Sequence, residues 1–263
     1  IGGGSDTPEF YKFNQCGNVV SLALNKYIYV VVKKHEEIFG EKYRLSYSQN
    51  EICSSIDEIK NNVIRETLRF SKVEEPLYIS TFSDLPAASG LGSSSALAVG
   101  LLNALYGIRG EQVTRGQLAE ESAQIEINCL KQPIGKQDQY ASAFGGLNSF
   151  VFRSDESVDV RGAKIPSSYL REFLECGSLY WTGLTRKVES ILRDQKRNFS
   201  KGNFSDILNI VKLVPNFEKA LEQNRPIEEL AEIIGHSWEH KKKLANGISN
   251  DHINNLYEIL MKN

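Results

Sequence analysis

A loop rich in serine and glycine precedes a long apolar segment, and its residue types could hold phosphate groups. The stretch SGLGSSSA runs from Ser89 to Ala96, and the apolar run ALAVGLLNALYGI that overlaps its end predicts a buried helix. Glycines let the backbone approach a ligand closely, and a helix start offers unpaired N–H donors and the positive end of the helix dipole. Taken alone, such a loop is more often a flexible connection with a serine N-cap.

The candidate phosphate-binding residues are Ser89, Gly90, Leu91, Gly92, Ser93, Ser94 and Ser95. The sequence has no GxxxxGK[ST] motif, which excludes a Walker-type phosphate loop. The loop also lacks the third glycine of a dinucleotide-binding fingerprint.

Two carboxylates follow the apolar helix, and together they suit phosphoryl transfer. Glu126 and Asp138 are twelve residues apart, and Pro133 and Gly135 should break the helix between them. One acid could hold a metal ion while the other accepts the proton of an attacking hydroxyl. Without the nearby phosphate loop, solvated surface charge would be the default interpretation of both.

The residues around Asp138 bear on its charge. Asp138 is expected near the start of a short helix, whose dipole would keep the carboxylate ionised, as a base requires. Lys136 is a candidate catalytic residue that could stabilise this charge or meet a phosphate, and an exposed surface lysine is the alternative.

The first residues, IGGGSDTPEFY, form a third candidate site. The triple glycine predicts a tight turn that opens a loop or short helix. Asp6 could accept hydrogen bonds from sugar hydroxyls, with Gly3, Gly4 and Tyr11 nearby, or it could simply be a helix N-cap.

The rest of the pattern predicts an α+β chain with a change of character past its middle. Strands are expected at 26–34, 43–48, 76–82, 145–153 and 177–183. A helical pattern covers 54–70, Thr114 is the expected N-cap of a helix over 115–130, and the chain beyond 186 is almost wholly helical. This shift predicts two domains, 1–172 and 173–263.

Composition excludes some classes of partner. The 263 residues carry a formal net charge of -2, with 41% hydrophobic residues, so neither nucleic acid nor a membrane is an expected partner. The four cysteines are far apart, which favours reduced thiols in the cytoplasm over a disulfide framework or a zinc site. The pair His236 and His240, with the lysine run 241–243, is expected on a solvated helix end.

The motif LPAASGLGSSSALAVG resembles the second signature of the GHMP kinases, and GKQDQ resembles the Gly-x-x-Asp-Gln segment of their sugar-kinase members. The resemblance implies a two-domain GHMP fold, with a ribosomal-protein-S5-like first domain, a helical or ferredoxin-like second domain and the active site between them. It implies ATP as donor, Mg²⁺ held by Ser94 and Glu126, and Asp138 as the catalytic carboxylate.

The opening GGGSDTPEFY and several later segments resemble the D-glycero-D-manno-heptose 7-phosphate kinases of this superfamily. That resemblance implies transfer to the anomeric hydroxyl of the heptose phosphate, which gives heptose 1,7-bisphosphate for nucleotide-activated heptose synthesis. Arg186 and Lys187 are candidates for binding the substrate's phosphate, and a solvated helix start is the alternative. Another sugar, such as fucose or galactose, or a non-catalytic regulator on the same fold, remains an alternative function.

The sequence departs from the family pattern at both ends. Family members have a strand with a basic residue before the first glycines, and a third glycine-rich motif near the C-terminus. Neither occurs in these residues, so the chain is expected to be truncated at both ends.

Overall fold

The computed structural model describes residues 1–36, 40–86, 89–183, 188–200 and 204–262, which form helices and strands up to Gly162 and helices alone beyond it. The chain forms two compact units. Unit 1 combines Ile1–Leu22 with Gly146–Asn263, and unit 2 is the continuous segment Ala23–Gly145. The predicted α+β class is confirmed.

Unit 2 is built on a four-stranded sheet with the spatial order β2-β5-β3-β4. Strand pairs β2–β5 and β3–β4 are antiparallel, whereas β3 and β5 run parallel. The strands are β2 (Ile28–Lys34), β3 (Tyr43–Ser46), β4 (Asn50–Cys53) and β5 (Leu77–Ser83).

The helices of unit 2 cover one face of this sheet because their apolar side chains recur at helical spacing. Leu101 and Leu105 are fully or almost fully buried in one cluster with Leu45 and Ile79 of the sheet. The elements are a 3₁₀ turn (Ile56–Glu58), α2 (Asn62–Phe70), α3 (Ser93–Ile108), α4 (Arg115–Ala123), a π-helix (Gln124–Cys129) and α5 (Gln137–Phe144). The predicted cap of α4 is confirmed, since the Thr114 hydroxyl accepts a hydrogen bond from the N–H of Gln117.

Unit 1 joins the two ends of the chain through an antiparallel sheet of order β1-β6-β7. The strands are β1 (Cys16–Leu22), β6 (Leu147–Arg153) and β7 (Val158–Gly162). The helices are α1 (Pro8–Tyr11), α6 (Ser167–Glu175), α7 (Val188–Ser200), α8 (Ser205–Glu222), α9 (Ile227–Lys241) and α10 (Asp251–Lys262).

Two apolar clusters hold unit 1 together. Val20 of β1 packs with Val214 and Phe217 of α8 in one cluster. Phe10 of α1 packs with Phe199 and Phe204 in the other. Burial of these side chains is the main force that attaches the first residues to the later helices.

The predicted strand at 177–183 is wrong. These residues, all of which the structure describes, form no strand, and Leu179, Tyr180 and Trp181 are more than half exposed. Their apolar and aromatic composition suits a strand, but none of the described strands pairs with them. Strands β1, β4 and β7 and helix α6 were not predicted.

The predicted domain boundary between residues 172 and 173 falls inside α6, whereas the compact units divide at 22/23 and 145/146. The division into family domains at that point stays a prediction. Within the described part of the chain, no helix has both the length and the apolar character needed to cross a membrane.

Candidate active site

The serine-glycine loop has the conformation that only glycine adopts without strain at its two key positions. Gly90 has φ +78° and Gly92 has φ +71°, and α3 begins at Ser93 directly afterwards. The first turn of α3 has no cap from its N-cap residue, Gly92, which has no side chain. Its N–H donors therefore remain available to an anion, which is the arrangement typical of phosphate sites.

Ser89 supports the same interpretation. Its hydroxyl oxygen is buried, and the described part of the chain offers it no hydrogen-bond partner. A buried hydroxyl without a partner is unfavourable, so a ligand with acceptor oxygens would complete the loop.

Glu126 is fully buried beneath the start of α3. Its Oε1 accepts a hydrogen bond from the Ser94 hydroxyl at 2.5 Å, and its Oε2 accepts bonds at 2.6 Å from Ser95 Oγ and Gln139 Nε2. Glu126 lies in the π-helix, a rare form that is common at functional sites. All three donors are neutral, so within the described residues the carboxylate has no cationic partner.

These residues fit a magnesium ion. Ser94 and Glu126 offer hard oxygen donors that are 2.5 Å apart. Mg²⁺ characteristically takes one or two protein ligands and completes its shell with water and substrate phosphates. A cation here would also compensate the buried charge of Glu126.

Asp138 is an exposed residue that lies against the serine-glycine loop. It is in the first turn of α5, as predicted, and a Cβ added to Gly92 would stand 3.3 Å from its Cγ atom. The lack of a side chain at residue 92 is therefore what allows the loop and this carboxylate to approach. Asp138 and Glu126 thus meet the same turn, one exposed and the other buried.

Lys136 is not the exposed lysine of the alternative interpretation. It is only 5% exposed, and its Nζ donates to both carboxylate oxygens of Glu120, at 2.8 and 3.0 Å. The Tyr140 hydroxyl also donates to Glu120, at 3.1 Å. A catalytic role for Lys136 stays a prediction.

The N-terminal motif forms a buried polar turn in unit 1. Asp6 is 2% exposed, and its Oδ1 accepts the N–H of Gly4 at 3.0 Å. The N-cap alternative for Asp6 is wrong, because Thr7 occupies the N-cap position of α1, where its hydroxyl donates to the Gly4 carbonyl and makes no capping hydrogen bond. Tyr11 is buried, with its ring stacked on Phe152.

Two further predictions concern basic residues. Arg186 and Lys187 lie outside the described residues. The lysine run is not uniformly solvated, because Lys241 Nζ donates to the Gly3 carbonyl at 2.7 Å and His240 Nδ1 is 2.9 Å from Asp206 Oδ1. His240 and Lys241 are half-buried, whereas His236 and Lys243 are exposed as predicted.

Sequence reasoning did not single out Gln139 or Glu120. Gln139 directly follows Asp138 in the GKQDQ segment, which was the one available signal for it. Glu120 lies sixteen residues before Lys136, and the sequence contains no signal that pairs them.

Comparison with known proteins identifies the class to which this site belongs. Residues 55–146 match the family model described as "GHMP kinases N terminal domain", and this range contains the loop, Glu126 and Asp138. The predicted resemblance to the GHMP kinases is therefore confirmed over residues 55–146, and the chain is a small-molecule kinase.

Similar proteins include sugar kinases. The chain is 28% identical over its full length to a D-glycero-alpha-D-manno-heptose 7-phosphate kinase from Campylobacter jejuni, of which it covers 80%. It is 25% identical to an L-fucokinase/L-fucose-1-P guanylyltransferase from Bacteroides fragilis, with 94% of the chain matching 29% of that protein.

Solved structures share the fold. A D-glycero-D-manno-heptose 1-phosphate kinase from Bacteroides thetaiotaomicron matches with a TM-score of 0.77 and 24% identity, over 92% of this chain and 76% of that one. The two-domain GHMP fold predicted from the sequence is therefore confirmed.

Proposed function

We propose that the chain transfers the γ-phosphate of ATP to the anomeric hydroxyl of D-glycero-D-manno-heptose 7-phosphate. The observation that carries the kinase part is the meeting of Glu126 and Asp138 at one glycine-serine turn. The substrate part is supported by the relative from C. jejuni, whose match spans the whole chain.

The proposed division of labour follows from exposure. The half-buried Ser94 and the buried Glu126 would hold Mg²⁺, which neutralises charge on the nucleotide phosphates when bound. The N–H groups at the start of α3 would bind phosphate oxygens, and Gly90 and Gly92 give these oxygens access to the backbone.

Asp138 is the proposed group that receives the proton. The acceptor oxygen forms a bond to the γ-phosphorus as the bond to the bridging oxygen breaks, and ADP leaves with that electron pair. The proton of the acceptor hydroxyl passes to the Asp138 carboxylate, which is exposed and can therefore reach a substrate. Asp6 would accept hydrogen bonds from other hydroxyls of the sugar.

An ADP-release assay tests this proposal with heptose 7-phosphate, hexose phosphates and free sugars as acceptors. The expected result is magnesium-dependent ADP release that is fastest with the heptose phosphate. Faster turnover of fucose or galactose would contradict the proposed substrate. ADP release no faster than without acceptor, for every sugar, would contradict the kinase activity itself and favour the regulatory alternative.

A further inference from the structure

Gln195 is a buried amide that the proposed mechanism does not use. It lies on α7, is 2% exposed, and its Nε2 is buried without a hydrogen-bond partner in the described part of the chain. Buried amide donors are almost always paired, so an unpaired one indicates a place where a ligand or a water molecule supplies the acceptor.

The amide of Gln195 points at the glycine motif. A Cβ added to Gly4 would lie 2.6 Å from Gln195 Nε2 and 3.2 Å from Lys241 Nζ. Gly4 also has φ +103°, which disfavours any residue with a side chain. The two donors, one from α7 and one from α9, thus meet at the backbone of residue 4, beside the turn that carries Asp6.

Neighbouring contacts fix the two donors in place. Lys196, next to Gln195, forms an ion pair with Glu9 of α1 at 2.5 Å, and Phe199 packs on Phe10. Lys241 is anchored by the bond from its Nζ to the Gly3 carbonyl. A group held in one position in this way can discriminate between ligands, because little freedom is lost when a ligand binds.

The chemistry of the three side chains suits a polyhydroxylated ligand. A hydroxyl both donates and accepts hydrogen bonds, so it can donate to the Asp6 carboxylate and accept from an amide or ammonium group. A phosphate offers only acceptors at neutral pH, so it cannot donate a hydrogen bond to the side chain of Asp6.

We infer that Gln195 and Lys241 bind hydroxyl oxygens of the acceptor sugar, beside Asp6, and determine specificity for it. This inference rests on the proposed function. It places part of the sugar-binding site on α7 and α9, in residues that the sequence assigned to ordinary helices.

Gln195→Leu and Lys241→Met test the inference, with Lys243→Ala as control because Lys243 is an exposed member of the same lysine run. We expect the KM for heptose 7-phosphate to rise about tenfold or more in both variants, since a site built to bind a hydroxyl loses much when a partner is removed. The KM for ATP should change less than twofold, and the control should match wild type.

Thermal unfolding separates binding from a structural role. Leucine removes an unpaired buried amide, so Gln195→Leu should unfold at the same temperature as wild type or higher. An acceptor KM within twofold of wild type in both variants would overturn the inference and leave Gln195 as a site for buried water.

Calorimetric titration with heptose 7-phosphate, without ATP, keeps this test separate from the kinase assay. Binding to wild type and its loss in Gln195→Leu would support the sugar site even if no ADP release were found. Equal affinity of the wild type and the variant, or binding by neither, would overturn the inference.

Discussion

At the level of single residues, the site uses two carboxylates in opposite environments. Glu126 is fully buried and accepts three hydrogen bonds from neutral donors, whereas Asp138 is exposed and approaches the loop at Gly92. A buried, constrained carboxylate suits a fixed cation, and an exposed one suits contact with a substrate that comes and goes. The surroundings of each carboxylate therefore distinguish the two proposed roles, which the residue types alone do not distinguish.

Replacing the exposed acid tests the proposed proton transfer. Asp138→Asn keeps the size of the side chain but removes its charge and basicity, so we expect kcat to fall by roughly 10²–10⁴-fold. Nucleotide binding should survive, because the proposed phosphate-binding groups belong to the loop and the start of α3. Steady-state ADP release and a nucleotide titration measure both quantities.

Asp57→Asn is the matched control, because Asp57 is an exposed acid of the same unit, within the 3₁₀ turn. It should leave kcat unchanged. Full activity in Asp138→Asn would remove Asp138 from the mechanism.

Alanine substitutions at two loop glycines can distinguish the effect of backbone strain from the effect of a contact with Asp138. Both have positive φ, so alanine should destabilise either position by about 1–2 kcal/mol. Only at Gly92 would the new Cβ meet Asp138, because at Gly90 no atom of the described residues lies within 4 Å. We expect Gly92→Ala to lower kcat well below that of Gly90→Ala at similar thermal stability, and equal kcat values would argue against the contact.

At the level of elements, the sequence predicted those with strong local signals. The β-branched and aromatic run of β2, the apolar face of α3 and the Thr114 cap of α4 are confirmed. Strand β1 was not predicted, because Gly17 and Asn18 interrupt its pattern and its pairing with β6 is remote in sequence. The strand predicted at 177–183 is wrong for the converse reason. Its composition is typical of a strand, but none of the described strands pairs with it.

The same distinction applies to the candidate site. The loop and the two acids could be predicted because each lies in a compact motif. The π-helix around Glu126 could not, since its apolar spacing is compatible with an ordinary α-helix. The Lys136–Glu120 pair and the approach of Lys241 to Gly3 depend on tertiary packing, which local spacing does not encode.

Glu51 connects β4 to the segment that leads into α2. Its carboxylate accepts hydrogen bonds from Tyr47 Oη at 2.6 Å and from the backbone N–H groups of Lys60 and Asn61 at 2.7 and 3.3 Å. Burial alone would raise the pKa of Glu51, but the hydrogen bonds and the charge of Lys60 outweigh it and the pKa is lowered. Burial and the same contact raise the pKa of Tyr47 to about 12.

These shifts predict a pH-dependent contribution to stability. Because the folded-state pKa of Glu51 is lowered, its contribution is fully present above the unfolded pKa of about 4.3 and is lost as pH falls through the folded value. Glu51→Gln should lower the free energy of unfolding by about 1–3 kcal/mol at pH 7, and by less at pH 3.

Urea unfolding at both pH values measures this difference. Glu74→Gln, at an exposed position, should change stability by no more than about 0.5 kcal/mol at either pH. A deficit of Glu51→Gln that is the same at pH 3 as at pH 7 would contradict the assignment to the ionised carboxylate.

At the level of the whole molecule, the first 22 residues belong to the unit that contains the last helices. Phe10 is fully buried against Phe199 and Phe204, with ring centroids 6.2 and 6.1 Å away. Its neighbour Phe13 also stacks on Phe204 but is 63% exposed. Attachment of the N-terminal motif to the helices therefore depends far more on the first ring than on the second.

Phe10→Ala should lower the free energy of unfolding of unit 1 by about 3–5 kcal/mol, because it leaves a cavity where a whole ring was buried. Phe13→Ala should cost much less. Hydrogen exchange of Phe10→Ala should show lost protection in β1 and β6, while protection in the strands of unit 2 is unchanged. An equal loss of protection in the two units would contradict the division of the chain into these units.

The pairing of β1 with β6 also constrains the order of events during synthesis on the ribosome. Strand β1 leaves the exit tunnel early, but its partner begins at Leu147, after the whole of Ala23–Gly145 has been made. Unit 2 is continuous and can fold while translation proceeds. Strand β1, in contrast, keeps an unpaired edge until β6 has been made. Chaperones would therefore have the most unpaired strand to bind while these more than one hundred residues are being synthesised.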